Sequence, residues 1–232
     1  DFNDREEPVA IHTPAGTRRR IRDLITVTGN EPSFPVRVNE VSPGDVALDR
    51  EDFEVRAFET DHRATSVGYA IVEDDRKGRF DREKAQHELG IEPGPEYSTL
   101  HNGESVELDD GTVVQPEQVV GPPRPGRRVV YTGDTCPTAG VVEAAADADL
   151  LIHDATFAED RRERAGQTGH STAKQAAEIG NRAGAKRLAL THVSTRYAGQ
   201  SERLEDEARE VFDGEAFLPD DGDELDVPFP DA

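Results

Sequence analysis

Three apolar, strand-like stretches of this sequence each end in a residue able to hold a metal ion or move a proton. Arg128–Tyr131 runs into Thr132-Gly133-Asp134-Thr135, Asp149–Ile152 into His153-Asp154-Ala155-Thr156, and Arg187–Leu190 into Thr191-His192-Val193-Ser194. Imidazole nitrogen and carboxylate oxygen are the donors that zinc takes at about 2.0–2.2 Å. In α/β sheets, sites form in the crevice beyond the carboxyl ends of the strands. Asp134, His153, Asp154 and His192 are therefore expected to converge there. His170 lies where a helix begins, with Ser171 or Thr172 as its cap. His62 precedes the strand-like Ser66–Val72, so both histidines are expected beside the same crevice.

Taken singly, each residue has a plainer reading. An aspartate after a glycine is commonly a turn former, and an isolated histidine is usually a hydrogen-bonded structural group. Recurrence at equivalent ends of successive units is what sets these residues apart. Two zinc ions about 3.5–4 Å apart can share a carboxylate, activate a water and stabilise both oxygens of an in-line phosphoryl displacement. Asp134 suits the bridge, and His62 and His192 suit terminal positions. No HxHxDH cluster occurs in the chain, so spacing alone describes half a site. Cys136, the single cysteine, reads as a small buried filler, and His12, His87 and His101 as surface or structural residues.

The elements that must position these groups are legible in outline. Residues 8–11 predict a short buried strand, Thr17–Ile25 a helix, and Val36–Val41 and Phe53–Phe58 two further strands. From Asp74 to Pro125 the chain is dense in Gly and Pro. Such punctuation predicts a protruding arm or hairpin at 74–125, with one short helix at Arg82–Leu89 and strand pieces at Ser105–Leu108 and Thr112–Val114. Beyond it, helices at Thr138–Ala146, Thr172–Ala183 and Ser201–Val211 alternate with the three strands, which implies an α/β layer. The acidic tail, 213–232, has no Lys or Arg; Glu215–Leu218 is a candidate edge strand, and the rest is expected to be partly disordered.

Composition adds limits. The chain has 232 residues and a formal net charge of −22, with lysine only at positions 77, 84, 174 and 186. An acidic, lysine-poor surface points to adaptation to high salt. Phosphate binding normally shows as a basic patch, and here positive charge is local, at Arg18-Arg19-Arg20 and at Arg124, Arg127 and Arg128. Acidity thus argues against nucleic-acid binding, and the case for it must rest on motifs. One cysteine excludes an intrachain disulfide and fits a reducing cytoplasm. No apolar run approaches the ~18 residues of a transmembrane helix. The N-terminus is polar, and the chain contains no methionine, so it is expected to be a fragment or a processed product.

Six motifs in order resemble the ribonuclease Z family. His62-Arg63-Ala64-Thr65-Ser66-Val67-Gly68-Tyr69 is similar to its third motif, and Gly90-Ile91-Glu92-Pro93-Gly94-Pro95 to the GP motif of its tRNA-binding arm. Pro123-Arg124-Pro125-Gly126-Arg127, leading into Tyr131-Thr132-Gly133-Asp134-Thr135, resembles the loop and fourth motif. His153-Asp154-Ala155-Thr156-Phe157 resembles the HEAT segment, His170-Ser171-Thr172 the HST segment, and Leu190–Tyr197 the fifth motif. The match spans about residues 8–212.

The resemblance implies a metallo-β-lactamase-like αββα sandwich over 1–232, incomplete at its N-terminus, with an inserted arm. It implies a zinc-dependent endoribonuclease that removes 3′ trailers from tRNA precursors; the acidic, lysine-poor composition and single cysteine make it an expected haloarchaeal, cytoplasmic one. It further implies a homodimer in which the arm of one subunit grips tRNA for the other's active site. By the same resemblance, His62 and His192 are zinc ligands, Asp134 bridges the two zincs, and His170 donates a proton to the leaving oxygen, aided by Asp154. Gly94 and Pro95 belong to the tRNA-contacting arm, and Arg127 and Arg196 are phosphate contacts, since the guanidinium fork matches phosphate oxygens. Two departures stand out. The family's HEAT glutamate is Asp154 here, one methylene shorter, and the HxHxDH motif, which supplies most of the ligands, is expected upstream of Asp1. The chain as given is therefore expected to be inactive and to hold zinc incompletely or not at all. The competing readings are another metallo-β-lactamase-fold hydrolase of small phosphodiesters or sulfate esters, and a non-catalytic tRNA-binding module.

Overall fold

A computed structural model describes residues 5–27, 29 and 32–230; the ends of the expected domain (1–4) and of the acidic tail (231–232) lie outside the described residues. The chain divides into two compact units, Asp1–Glu73 with Arg127–Pro228, and Asp74–Gly126 with Phe229–Ala232.

The first unit opens with strand β1 (Val9–Pro14), helix α1 (Arg18–Ile25) and strand β2 (Val36–Val41). Among the described residues β1 pairs, in parallel, with β2 alone as a small separate sheet, and it is largely half-exposed, not the buried strand that its residues predict. An antiparallel meander follows: β3 (Val46–Asp49), β4 (Phe53–Glu59) and β5 (Val67–Glu73). β3 escapes prediction, because four residues bounded by Asp and Arg carry too little alternation to register.

The second unit contains helices α2 (Arg82–His87) and α3 (Pro95–His101) and the short strands β6 (Val106–Glu107) and β7 (Val113–Val114). Its own core joins Ala85, Ile91, Leu100, Val114 and Val119, with the Phe80 and Tyr97 rings 4.7 Å apart. The bridges Arg76–Arg124 and Phe80–Val120 tie its two chain ends together. The segment is thus a packed unit and not a bare hairpin. Gly94-Pro95 lies within the Gly- and Pro-rich stretch, yet Pro95 starts α3: its fixed φ and missing N–H suit the first helical turn.

The first unit resumes with β8 (Arg128–Tyr131), α4 (Ala139–Ala144), β9 (Leu150–Asp154), α5 (Arg162–Thr168), α6 (Ala173–Ala183), β10 (Arg187–Thr191), α7 (Glu202–Arg209) and β11 (Glu215–Phe217). Among the described residues these strands join the meander in a seven-stranded sheet of order β11-β10-β9-β8-β5-β4-β3. β8, β9, β10 and β11 are mutually parallel, so their carboxyl ends share one edge. Apolar runs buried by helices are the signature of such strands. Val130, Leu151, Leu188 and Leu190 meet Val141, Ile179 and Leu204 of α4, α6 and α7 in one core. Alanines 173, 176, 177 and 183 give α6 a thin face, which lets that helix lie close to the sheet. α5, begun by Arg162 within a charged stretch, lacks an apolar stripe long enough to predict.

Candidate metal centre

The shared edge carries the chemistry. Asp134 follows β8, Asp154 closes β9, and His192 follows β10. Gly133 at φ +61° turns the first loop. His192 itself sits at φ +62°, a left-handed conformation uncommon for a side-chain-bearing residue. Such residues cost on the order of 1 kcal/mol or more and cluster at functional sites. Among the described residues, Asp134, Asp154, His170 and His192 offer ligand atoms that all lie within 4.8 Å of one another.

Within this group Asp154 is already engaged. Its side chain is fully buried, and Oδ2 accepts from Thr135 N–H at 3.0 Å and from His170 Nδ1 at 2.8 Å. Oδ1 accepts from the Thr156 backbone N–H at 2.8 Å and from its hydroxyl at 2.7 Å. The shortening from glutamate to aspartate therefore does not separate Asp154 from His170. Ser171 Oγ donates to Thr135 O at 2.7 Å, and the capping box between Thr172 and Gln175 starts α6, which holds the loop bearing His170 in place.

His192 and Asp134 fit a metal. His192 Nε2 lies 3.5 Å from Asp134 Oδ1, the spacing of two donors on a tetrahedral ion with arms of about 2.1 Å. The other ring nitrogen of His192 meets Thr156 Oγ1 at 2.8 Å, and a second bond of that kind is usual for a metal-binding histidine. His62 falls outside the tight group but belongs to the same row of rings. Its centroid is 5.0 Å from that of His170, and His170 stacks on His192 at 5.0 Å. His62 Nδ1–H donates to the Gly169 carbonyl at 2.8 Å, which leaves Nε2 available.

Gly169 is needed for that contact. It has φ +81°, and a Cβ there would fall 2.7 Å from His62 Nδ1 and 3.0 Å from Arg63 N. Gly169→Ala is expected to push His62 out of the row and to weaken metal binding by about 10–100-fold, the scale on which removing a ligand's orienting partner acts. Chelator competition against the unchanged protein measures this, and equal affinity would show that His62 does not need this placement.

The remaining residues are sorted by the structure as follows. His153 does not join the site. Side chains alternate along β9, so it takes the face opposite to Asp154; it is fully buried and donates from Nδ1 to Asp154 O at 2.8 Å. Burial pushes its imidazole below the ordinary histidine range. Gly94 and Pro95 lie in the second unit, at the start of α3. Arg127 is bound to Glu73 through Nε and Nη2, and to Val227 O through Nη1 at 3.2 Å, so its fork is engaged within the protein. Arg196 is exposed, with its guanidinium 5.2 Å from the Phe157 ring, which in turn packs edge-on to His170 at 6.2 Å. The Cys136 thiol is half-buried, and burial raises it above the ordinary range. Reading the residues one by one misses Thr135, Thr156 and Gly169. Their signal is position, since each lies next to or two residues from a ligand-capable side chain.

A mixed sheet with helices on one face and ligand-capable groups gathered at its carboxyl edge defines a metallo-β-lactamase-fold protein. Residues 79–193 match the beta-lactamase superfamily domain. The fold is similar to that of human tRNase Z, short form (TM-score 0.61, 24% identity, 96% of this chain and 69% of that one). It is also similar to the metallo-beta-lactamase fold protein YhfI from Bacillus subtilis (TM-score 0.59, 19% identity, 91% of this chain and 62% of that one). The chain belongs to the ribonuclease Z family. It is 65% identical to Ribonuclease Z of Haloarcula marismortui over 232 residues, all of this chain and 74% of that protein. It is 62% identical to Ribonuclease Z of Natronomonas pharaonis over 100% of this chain and 75% of that protein. A relative outside the haloarchaea, Ribonuclease Z of Myxococcus xanthus, is 44% identical over 98% of this chain and 73% of that protein.

Proposed function

We propose that this chain forms the larger part of a zinc-dependent endoribonuclease that removes 3′ trailers from tRNA precursors. The observation that carries the reading is the Asp134–His192 pair lying beside the buried His170–Asp154 pair on one sheet edge, in a member of the ribonuclease Z family. In this reading Asp134, His192 and His62 would hold the metal. The bound metal would supply Lewis-acid stabilisation of phosphoryl oxygens and a water that gives up its proton readily to become the nucleophile.

The protein's own groups do the rest. Asp154 fixes the His170 ring through Nδ1, which leaves Nε2 to hand a proton to the departing oxygen. Arg196, exposed near Phe157, meets a backbone phosphate in this reading. Arg127 reaches phosphate only by exchanging Glu73 for it. The second unit, with Gly94 and Pro95 at the start of α3, is the tRNA-gripping arm of a homodimer. A net charge of −22 would repel RNA in dilute buffer. At about 1 M salt the Debye length shrinks to about 3 Å, so only local contacts count, which fits a salt-adapted cytoplasm. No helix of the described residues is long and apolar enough to cross a membrane.

The test is to incubate the full-length protein with a trailer-bearing tRNA precursor in molar potassium chloride. The expected result is one cut that leaves a 3′-hydroxyl on the tRNA and a 5′-phosphate on the trailer, abolished by a chelator. Rapid turnover of a small phosphodiester with the precursor left intact would overturn the reading.

A further inference from the structure

We infer that Thr156 is a positioning residue whose hydroxyl holds His192 in the tautomer that frees Nε2, and so joins the metal-holding ring to the Asp154–His170 pair. The inference rests on the reading of His192 and Asp134 as metal-holding groups. Thr156 Oγ1 lies 2.8 Å from His192 Nδ1, 2.7 Å from Asp154 Oδ1 and 3.1 Å from His170 Nδ1. A threonine hydroxyl has one proton to give, and a carboxylate oxygen can only accept. That proton therefore goes to Asp154 Oδ1. The hydroxyl oxygen is then an acceptor towards His192, so the ring must carry its hydrogen on Nδ1. Nε2 is then the nitrogen left to a metal, beside Asp134 Oδ1 at 3.5 Å.

The bonds then run in one direction, from His192 Nδ1–H to the Thr156 oxygen and from its hydroxyl to Asp154. The other oxygen of Asp154 takes the His170 Nδ1–H at 2.8 Å. Reversing any one bond leaves two donors or two acceptors facing each other. Thr156 cannot drift, because its backbone N–H donates to the same Asp154 Oδ1 at 2.8 Å and its β-branched side chain has few rotamers. It is 6% exposed, so water has little room to replace the hydroxyl. A local turn would account for the backbone bond to Asp154. It would not require a hydroxyl aimed at a ring thirty-six residues away.

The test uses the full-length protein labelled with ¹⁵N in its histidines, together with T156V, T156S, D134N and H192A. In the unsubstituted protein the His192 signals are expected to show a proton on Nδ1. T156V keeps the side-chain shape and loses the oxygen; zinc affinity is expected to fall by about 10–100-fold, with T156S restoring most of it. The rate constant kcat at saturating zinc is expected to fall more than KM rises, because a mis-set ring disturbs chemistry more than substrate docking. If T156V does not fold, the unsubstituted spectrum and T156S decide. A His192 ring without a proton on Nδ1 overturns the inference. So does T156V binding zinc as tightly as the unsubstituted protein while D134N and H192A lose it, which leaves the metal centre standing. Undiminished zinc binding in D134N and H192A as well would instead remove the metal-centre reading beneath it.

Discussion

Replacing His170 with alanine is expected to slow precursor cleavage by about 10²–10⁴-fold, the usual share of a positioned general acid, while bound zinc stays at its normal stoichiometry. The reason is the division of labour at the sheet edge. His170 Nδ1 is held by the buried Asp154 carboxylate at 2.8 Å, and the ring is 9% exposed, so it presents one nitrogen in one orientation. Metal holding is assigned to His62, Asp134 and His192, and the bonds of His62 to Gly169 O and of His192 to Thr156 Oγ1 do not pass through the His170 ring. The loss should be smaller on a precursor whose leaving oxygen carries an electron-withdrawing group, since such a group needs less help from an acid. Single-turnover rates measured beside metal content check both halves. A rate within a few-fold of normal would remove His170 from proton transfer, and a loss of zinc would move it into the metal-holding set.

Deleting residues 76–118 from the full-length protein is expected to lower cleavage of precursor tRNA by about 10²-fold or more, the scale on which substrate misplacement acts, and to leave hydrolysis of a small phosphodiester nearly unchanged. The expectation has a structural reason. The segment has its own core around Leu100 and Ile91, and the sheet pairing that flanks it, Val72 with Arg128, lies in the first unit. A small diester has no distant part to hold, so the arm offers it nothing. Equal losses on both substrates would mean that the deletion disturbs the sheet edge itself. Equal retention of both would remove the second unit from tRNA binding.

The alternation of apolar strands and helices, and the placing of Asp134, Asp154 and His192 at strand ends, are legible from residue order. So is the Gly- and Pro-rich interruption after β5, because each of these is written in local order and periodicity. Tertiary structure alone decided which neighbour of a pair enters the site. His153 and Asp154 take opposite faces of β9 by the pleat, but only packing against α4, α6 and α7 settles which face is core. Tertiary structure also decided that Arg127 is occupied by Glu73, fifty-four residues away, and that His62 is oriented by a carbonyl at Gly169, 107 residues away. Hydrogen-bond partners at such separations, and the left-handed φ at His192, follow from how whole strands register against one another. No window of sequence contains that information. Thr156 shows the same limit: two residues past Asp154 it reads as one more small polar side chain, and it becomes a hub only when β9, β10 and the start of α6 bring three polar groups around its hydroxyl.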